Sequence, residues 1–302
     1  MREAMDKILI GPLPVAYGPL TPSKPKAFSL RAPTCVSNFY RIARGLLINK
    51  PILLEGGPGC GKSSTVMALA QLSGHPITRL NLSDQTDLSD LFGSDVPVVT
   101  SDGSISFRWE DGPILRAIKR GEWILLDEMN LASQSVLEGL NACFDHRRVL
   151  FIAELNRSFV IPPDSSCRFF ACQNPRTQGG NRRALPKSFV NRFTNIYVED
   201  LTKEDILFIL KEQPAAAHID HSRLQAMVSI TMNLAAQHSL CGGPFSFNLR
   251  DLLRWIHLFE KNGDMSSCFD TLYIKRMRNE EDRHKVVVFI YITMYIVFCK
   301  IF

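Results

Sequence analysis

Eight residues constrain this 302-residue chain more than anything else in it: Gly56-Gly57-Pro58-Gly59-Cys60-Gly61-Lys62-Ser63. They follow a short apolar run, Ile52-Leu53-Leu54, and lead into a helical pattern from Lys62 to Leu72 that ends near Gly74. A run apolar on both faces and stopped by glycines suits a strand buried inside a parallel sheet. Glycines permit positive φ, so successive N–H groups can turn inward around phosphate oxygens, and the following helix adds the positive end of its dipole. The spacing GxxxxGK[ST] between strand and helix therefore predicts a triphosphate cradle. The backbone of Gly56 to Gly61, with Pro58 and Cys60 between the glycines, would wrap the phosphates together with Ser64. Lys62 would face the β- and γ-phosphates, and the Ser63 hydroxyl would ligate Mg²⁺. A glycine turn that matches by chance would lack the flanking strand and helix.

Trp123-Ile124-Leu125-Leu126-Asp127-Glu128 supplies the complementary half. An apolar strand ending in two acids puts them at the carboxyl edge of the sheet, where ligands of such folds bind. Asp127 can hold Mg²⁺, and Glu128 can orient or deprotonate an attacking water. Asn174 follows the strand Phe169–Cys172 at the same edge, although an Asn before Pro175 is by itself an ordinary turn signal. Arg192, in Pro186-Lys187-Ser188-Phe189-Val190-Asn191-Arg192-Phe193, is a surface charge unless a neighbouring chain presents a nucleotide to it. Arg250 could reach the phosphates from a later helix, with Arg254 one turn on as its competitor.

The organisation reads in four parts. Residues 1–33 hold six prolines between Pro12 and Pro33 and predict an extended lead-in. Residues 34–200 alternate strand and helix: a helix from Val36 to about Asn49, strands Ile77–Leu82, Trp123–Leu126, Arg168–Cys172 and Asn195–Val198, and helices Asp87–Phe92 and Ser133–Phe144. That alternation predicts a doubly wound α/β layer. Two hairpins interrupt it, Val96–Trp109 around Asp102-Gly103 and Val149–Ile161 around Leu155-Asn156-Arg157. Residues 201–285 hold only helical patterns, Glu204–Leu210, Ser222–Gln237 and Leu249–Phe259, and predict a small all-helical domain. Residues 286–302 are set apart. Val286–Cys299 carries no charge, yet falls short of the roughly 18–20 residues of a membrane span. It reads as a buried last element or as residues foreign to the domain.

Thirty-five basic against thirty acidic residues leave a formal charge of +5, with 45% hydrophobic residues. This is globular composition with too small an excess for a nucleic-acid footprint, and Arg147-Arg148 and Arg182-Arg183 are small basic spots of the kind that solvated surfaces carry. The eight cysteines form no CxxC pair and no zinc spacing with the seven histidines, which predicts free thiols in a reducing compartment.

The ordered set of P-loop, Asp-Glu strand end, Asn174 after a fourth strand and Arg192 before a fifth resembles the AAA+ ATPases. The two hairpins look like the helix-2-insert branch. Within it, Asn81-Leu82-Ser83-Asp84-Gln85-Thr86-Asp87-Leu88, Asp90-Leu91-Phe92-Gly93-Ser94-Asp95, Leu126-Asp127-Glu128-Met129-Asn130-Leu131-Ala132, Ser135-Val136-Leu137-Glu138-Gly139-Leu140-Asn141 and Leu185-Pro186-Lys187-Ser188-Phe189 are similar to the midasin family, very large dynein-related ATPases of ribosome assembly. The similarity runs from about Leu46 to Lys285. It implies ATP and Mg²⁺ as ligands, Asn174 as sensor 1, Arg192 as an arginine finger acting in trans, and Arg250 as sensor 2. It also implies a ring of neighbouring AAA+ modules, a nuclear or nucleolar location, and assembly factors on the pre-60S particle as partners. The chain corresponds to one such module, which suggests a fragment of a larger protein. A nucleotide-locked structural module and an inactive truncated piece are the alternative readings. A GTPase is weakened by the absence of Asn-Lys-x-Asp, since Asn49-Lys50 is followed by Pro51-Ile52.

Overall fold

The structure, a computed structural model, describes residues 7–25, 28–99, 104–145, 147–152, 155–161, 166–175, 182–236, 241 and 245–288. Two compact units divide the chain. The first comprises Met1–Phe28, Asn38–Gly56 and Lys62–Val198; the second comprises Ser29–Ser37, Gly57–Gly61 and Glu199–Phe302. The division therefore differs from a single cut near residue 200, because Gly57–Gly61 of the glycine loop and the start of the first helix group with the later residues.

In the first unit, β1 (Lys7–Ile10) and β2 (Leu13–Ala16) pair antiparallel. The lead-in is thus not simply extended. Gly11 turns it with φ +59°, and Gly18 N and Leu20 N then donate to Ser73 O and Gly74 O at 2.7 and 2.9 Å. Pro12 and Pro14 tolerate this arrangement because a two-stranded ribbon has only edge strands, where a missing N–H leaves no ladder broken. Helix α1 (Pro33–Gly45) opens with proline at its first position, where the ring suits φ and no N–H is needed, and stops short of the expected Asn49.

The core sheet is parallel. It contains β3 (Ile52–Glu55), β4 (Ile77–Asn81), β7 (Trp123–Asp127), β10 (Phe169–Gln173) and β11 (Thr194–Tyr197), in the spatial order β11-β3-β10-β7-β4. All five residues of β7 are buried, as a central strand covered on both faces requires. Helix α2 (Lys62–Ser73) packs against β7 and β10, and α4 (Pro113–Arg120) against β4 and β7. Between β4 and β7 lie α3 (Leu88–Phe92) and a hairpin of β5 (Gly93–Val99) with β6 (Ile105–Asp111). The expected turn at Asp102-Gly103 lies outside the described residues. Helix α4 has no counterpart in the sequence reading, although Pro113 at its start and the left-handed Gly121 after its end are standard boundary residues.

Helix α5 (Gln134–Phe144) is capped by Ser133 Oγ accepting from Val136 N at 3.3 Å. A second hairpin, β8 (Val149–Ile152) with β9 (Arg157–Val160), follows it and turns through Asn156 at φ +47°. The short α6 (Lys187–Val190) precedes β11. The core on one side of the sheet joins Ile114, Ile124, Leu126, Leu137, Leu140, Phe144 and Phe169.

In the second unit, α7 (Lys203–Lys211), α8 (His221–Ala236), α9 (Leu249–Asn262) and α10 (Met265–Phe269) surround Trp255, Phe269 and Tyr273, with Phe269 and Tyr273 stacked at 4.6 Å. Residues 280–288 are helical, and the apolar run beyond 288 lies outside the described residues. No helix among the described residues is long and apolar enough to cross a membrane.

Candidate functional site

Parallel pairing brings the carboxyl ends of β3, β10 and β7 side by side, with Glu55 opposite Gln173 and Asn81 opposite Asp127. The residues after these strands consequently share one edge. Lys62, at the first position of α2, is buried, and its Nζ donates to Gly56 O at 2.8 Å and to Asn174 Oδ1 at 2.7 Å. The other end of the same amide, Asn174 Nδ2, donates to Glu128 Oε1 at 2.8 Å. Ser63 Oγ donates to Asp127 Oδ2 at 2.7 Å and lies 3.9 Å from Cys172 Sγ. Five residues separated by up to 112 positions thus form two adjoining groups, Lys62–Asn174–Glu128 and Ser63–Asp127.

Neighbours outside the sequence reading hold this arrangement. Arg79, on β4, donates to Asp127 Oδ2 at 2.7 Å, so that oxygen accepts from both a hydroxyl and a guanidinium. Asn130 Nδ2 donates to Asn174 O at 2.8 Å, fixing the backbone that carries the amide. Arg182, read from sequence as surface, places Nη2 3.7 Å from Glu128 Oε2 and is only 17% exposed. Glu128 itself adopts φ +54°, ψ +42°, the left-handed region that a residue with a Cβ enters at a cost of about 1–2 kcal/mol. Such strain survives only where the surroundings over-determine it. For Arg79 a signal existed in sequence, since a charge within the β-prone run Ile77-Thr78-Arg79-Leu80-Asn81 invites a partner; its identity required strand register.

The loop residues Gly59 and Gly61 have φ of +84° and +90°, conformations that turn N–H groups inward and that side chains rarely adopt. A methyl group built on Gly59 would come within 2.9 Å of Asn248 Cβ. Asn248 is the N-cap of α9, with its Oδ1 accepting from Arg250 N at 2.9 Å. Arg250 is therefore two residues from the contact with Gly59, and its side chain is exposed. Arg254 is 3.6 Å from Asp251 and so already has an acidic partner. Arg192 stands apart from the Lys62 and Asp127 groups and pairs with Asp145 at 3.3 Å.

These residues suit a triphosphate with a hard divalent cation. Ser63 and Asp127 present adjoining oxygen donors, the type Mg²⁺ prefers. The buried ammonium of Lys62 supplies complementary charge.

A parallel five-stranded sheet carrying a glycine loop, an acidic pair and an amide on one edge, joined to a small helical unit, defines an AAA+ ATPase module with its lid. Residues 51–193 match the family described as AAA domain (dynein-related subfamily), and residues 205–296 match the midasin AAA lid domain. The chain is 44% identical over 270 residues to midasin of Dictyostelium discoideum and 48% identical over 236 residues to midasin of Giardia intestinalis, covering 86% and 76% of this chain. It spans only 4% and 5% of the length of those two midasins. An uncharacterized protein of Staphylococcus aureus is 29% identical over 180 residues, 59% of this chain and 66% of that protein. The chain belongs to the midasin-like AAA+ modules.

Proposed function

We propose that this chain binds and hydrolyses ATP with Mg²⁺, as one module of a midasin-like remodelling motor. The observation that carries the reading is the continuous link from Lys62 through Asn174 to Glu128, which ties a phosphate-facing cation to a carboxylate able to act on water. In this reading Lys62 and the glycine loop hold the β- and γ-phosphates. Glu128 orients the water and accepts its proton, and Asn174 keeps Glu128 aimed. Mg²⁺, when held by Ser63 and Asp127, would neutralise charge on the phosphates. Arg192 acts in trans on the nucleotide of a neighbouring module, and Arg250 acts from the lid. An arginine finger is worth about 10³–10⁵ in rate, so the isolated chain should turn over slowly. By its family likeness, the wider role is release of assembly factors from pre-60S particles in the nucleus or nucleolus.

Calorimetry with MgATP tests the core of this: the chain should bind and Lys62→Ala should not. Equal heats from both, or none from either folded protein, would overturn it. A second reading, a nucleotide-locked module with little turnover, draws on one observation: Glu128 is engaged by both Asn174 and Arg182. Nucleotide that stays bound through gel filtration, with no turnover even beside neighbouring modules, would favour that reading.

A further inference from the structure

At the amino ends of β3, β10 and β11, the first unit contains a cleft of about 410 Å³. Among the described residues, its rim carries four cations, Lys50, Arg148, Arg168 and Arg192, and one carboxylate, Asp145. That carboxylate is paired with Arg192 at 3.3 Å. Arg148 and Arg168 meet instead at a neutral group. Arg148 Nη2 donates to Asn49 Oδ1 at 2.6 Å and to Asn49 O at 3.1 Å, and Arg168 Nη1 donates to the same Oδ1. Two guanidinium groups converging on one amide oxygen bring like charges together, and burial and the neighbouring Arg148 push the Arg168 guanidinium below its usual pKa.

The arrangement is held in place. Arg148 occupies φ +47° at the base of the β8–β9 hairpin, with its N donating to Asp145 O at 3.0 Å and its O accepting from Ile161 N at 2.9 Å. A strained non-glycine residue that aims an arginine into a cleft is a reason to look for a ligand. Beneath the rim, Phe144 packs on Phe169 and Phe193 at 5.4 and 4.7 Å, a rigid floor that supports Arg192 from the next position along the chain.

We infer that this cleft is an anion site that takes a phosphoryl group, with Arg148 and Arg168 as its principal donors and Lys50 and Arg192 beside them. Planar guanidinium forks match phosphate oxygens in pairs, and a phosphoryl group supplies the negative charge that Asn49 lacks. The group could belong to a free phosphate or to the nucleotide of an adjoining copy; the second source rests on the reading of Arg192 given above.

The test uses the whole chain carrying Lys62→Ala, which disables the glycine loop, titrated with inorganic pyrophosphate at low salt. One site is expected, weakened about tenfold or more by Arg148→Gln or Arg168→Gln, since each removes a charged donor. Arg148 and Arg168 are both half-buried and lie outside the strands, so either variant serves if the other folds poorly. No binding, or binding that both variants leave unchanged, overturns the inference. A second arm measures ATP turnover against chain concentration with the glycine loop intact. Loss of the concentration-dependent part in Arg148→Gln, with ATP affinity retained, identifies the adjoining nucleotide as the source. Unchanged turnover alongside pyrophosphate binding identifies free phosphate. Failure of ATP to bind the unmodified chain would sink the proposed function while leaving the pyrophosphate result standing.

Discussion

Asn174 donates its side-chain N–H to Glu128 Oε1 across 2.8 Å, while its carbonyl oxygen accepts from Lys62 Nζ. A single amide thereby couples the cation of the glycine loop to the acid two strands away. Because an amide has distinct donor and acceptor ends, the pairing also fixes its orientation, with oxygen toward the ammonium and nitrogen toward the carboxylate.

Removing the proposed base while keeping its shape should separate binding from chemistry. Glu128→Gln is expected to retain MgATP affinity within a fewfold and to lower turnover about 10²–10⁴-fold. Asn174→Ala should lower turnover by a smaller factor, because Glu128 stays but loses its guide. Stopped-flow phosphate release beside equilibrium nucleotide binding checks both. Equal loss of affinity and rate in Glu128→Gln would contradict the assignment.

In the proposed Mg²⁺ site, Arg79 and the cation would compete for the same carboxylate oxygen of Asp127. Arg79 is 43% exposed, so its ion pair with Asp127 is weak and screened, worth about 0–1 kcal/mol. Arg79→Gln should therefore reduce the Mg²⁺ concentration needed for nucleotide binding by about two- to fivefold. A higher Mg²⁺ requirement would mean instead that Arg79 positions Asp127 for the metal.

Gly59→Ala combines two penalties. The backbone at φ +84° disfavours any Cβ, and the added methyl would press on Asn248 Cβ at 2.9 Å. Strain of about 1–2 kcal/mol corresponds to about five- to thirtyfold in nucleotide affinity if the loop shifts to relieve it. Gly263→Ala is the control, since Gly263 has φ +70° but nothing within 4 Å of an added Cβ. That variant should lose stability alone, with nucleotide affinity intact in a fluorescent-nucleotide titration.

Asp205 makes stability depend on acid. Burial would raise its pKa, but hydrogen bonds from Thr34 and Thr202 outweigh that and hold the carboxyl below the usual value. Thr34 N donates to Oδ1 at 3.0 Å, and Thr202 N and Oγ1 donate to Oδ2 at 2.9 and 2.7 Å, completing the capping box of α7. Because the folded pKa is depressed, the stabilisation is present above the unfolded value near 4 and is lost as pH falls through the folded one. Urea midpoints should decline below about pH 4, and Asp205→Asn should flatten that slope while costing about 1–2 kcal/mol at neutral pH. An unchanged slope would show that other carboxylates control the acid transition.

Much of the candidate site was legible from residue order because its motifs are local. Gly56 to Ser63 must be contiguous to wrap a phosphate, and Asp127 and Glu128 announce themselves by ending an apolar strand. The hairpins around Val96–Trp109 and Val149–Ile161 were equally readable from alternation and turn residues. The docking of the proline-rich lead-in was not, since its partners are carbonyls of Ser73 and Gly74 some fifty residues away. Helix α4 shows a different limit: Pro113 and Gly121 mark its ends, but eight residues give periodicity too little room to speak.

Residue order alone determined that a P-loop, an acidic strand end and a following amide would meet, because parallel strands that bury both faces deliver their carboxyl ends to one edge. Only the tertiary structure decided which side chains close around them. Arg79 reaches Asp127 through the β4–β7 register, and Arg182 reaches Glu128 across more than fifty positions. Arg148 and Arg168 converge on Asn49 from a hairpin base and a strand start. Spacing along a chain reports what one element presents. Coulombic and hydrogen-bond partners depend on distances of a few ångströms between elements, and those distances exist only after the sheet has been ordered and its helices packed.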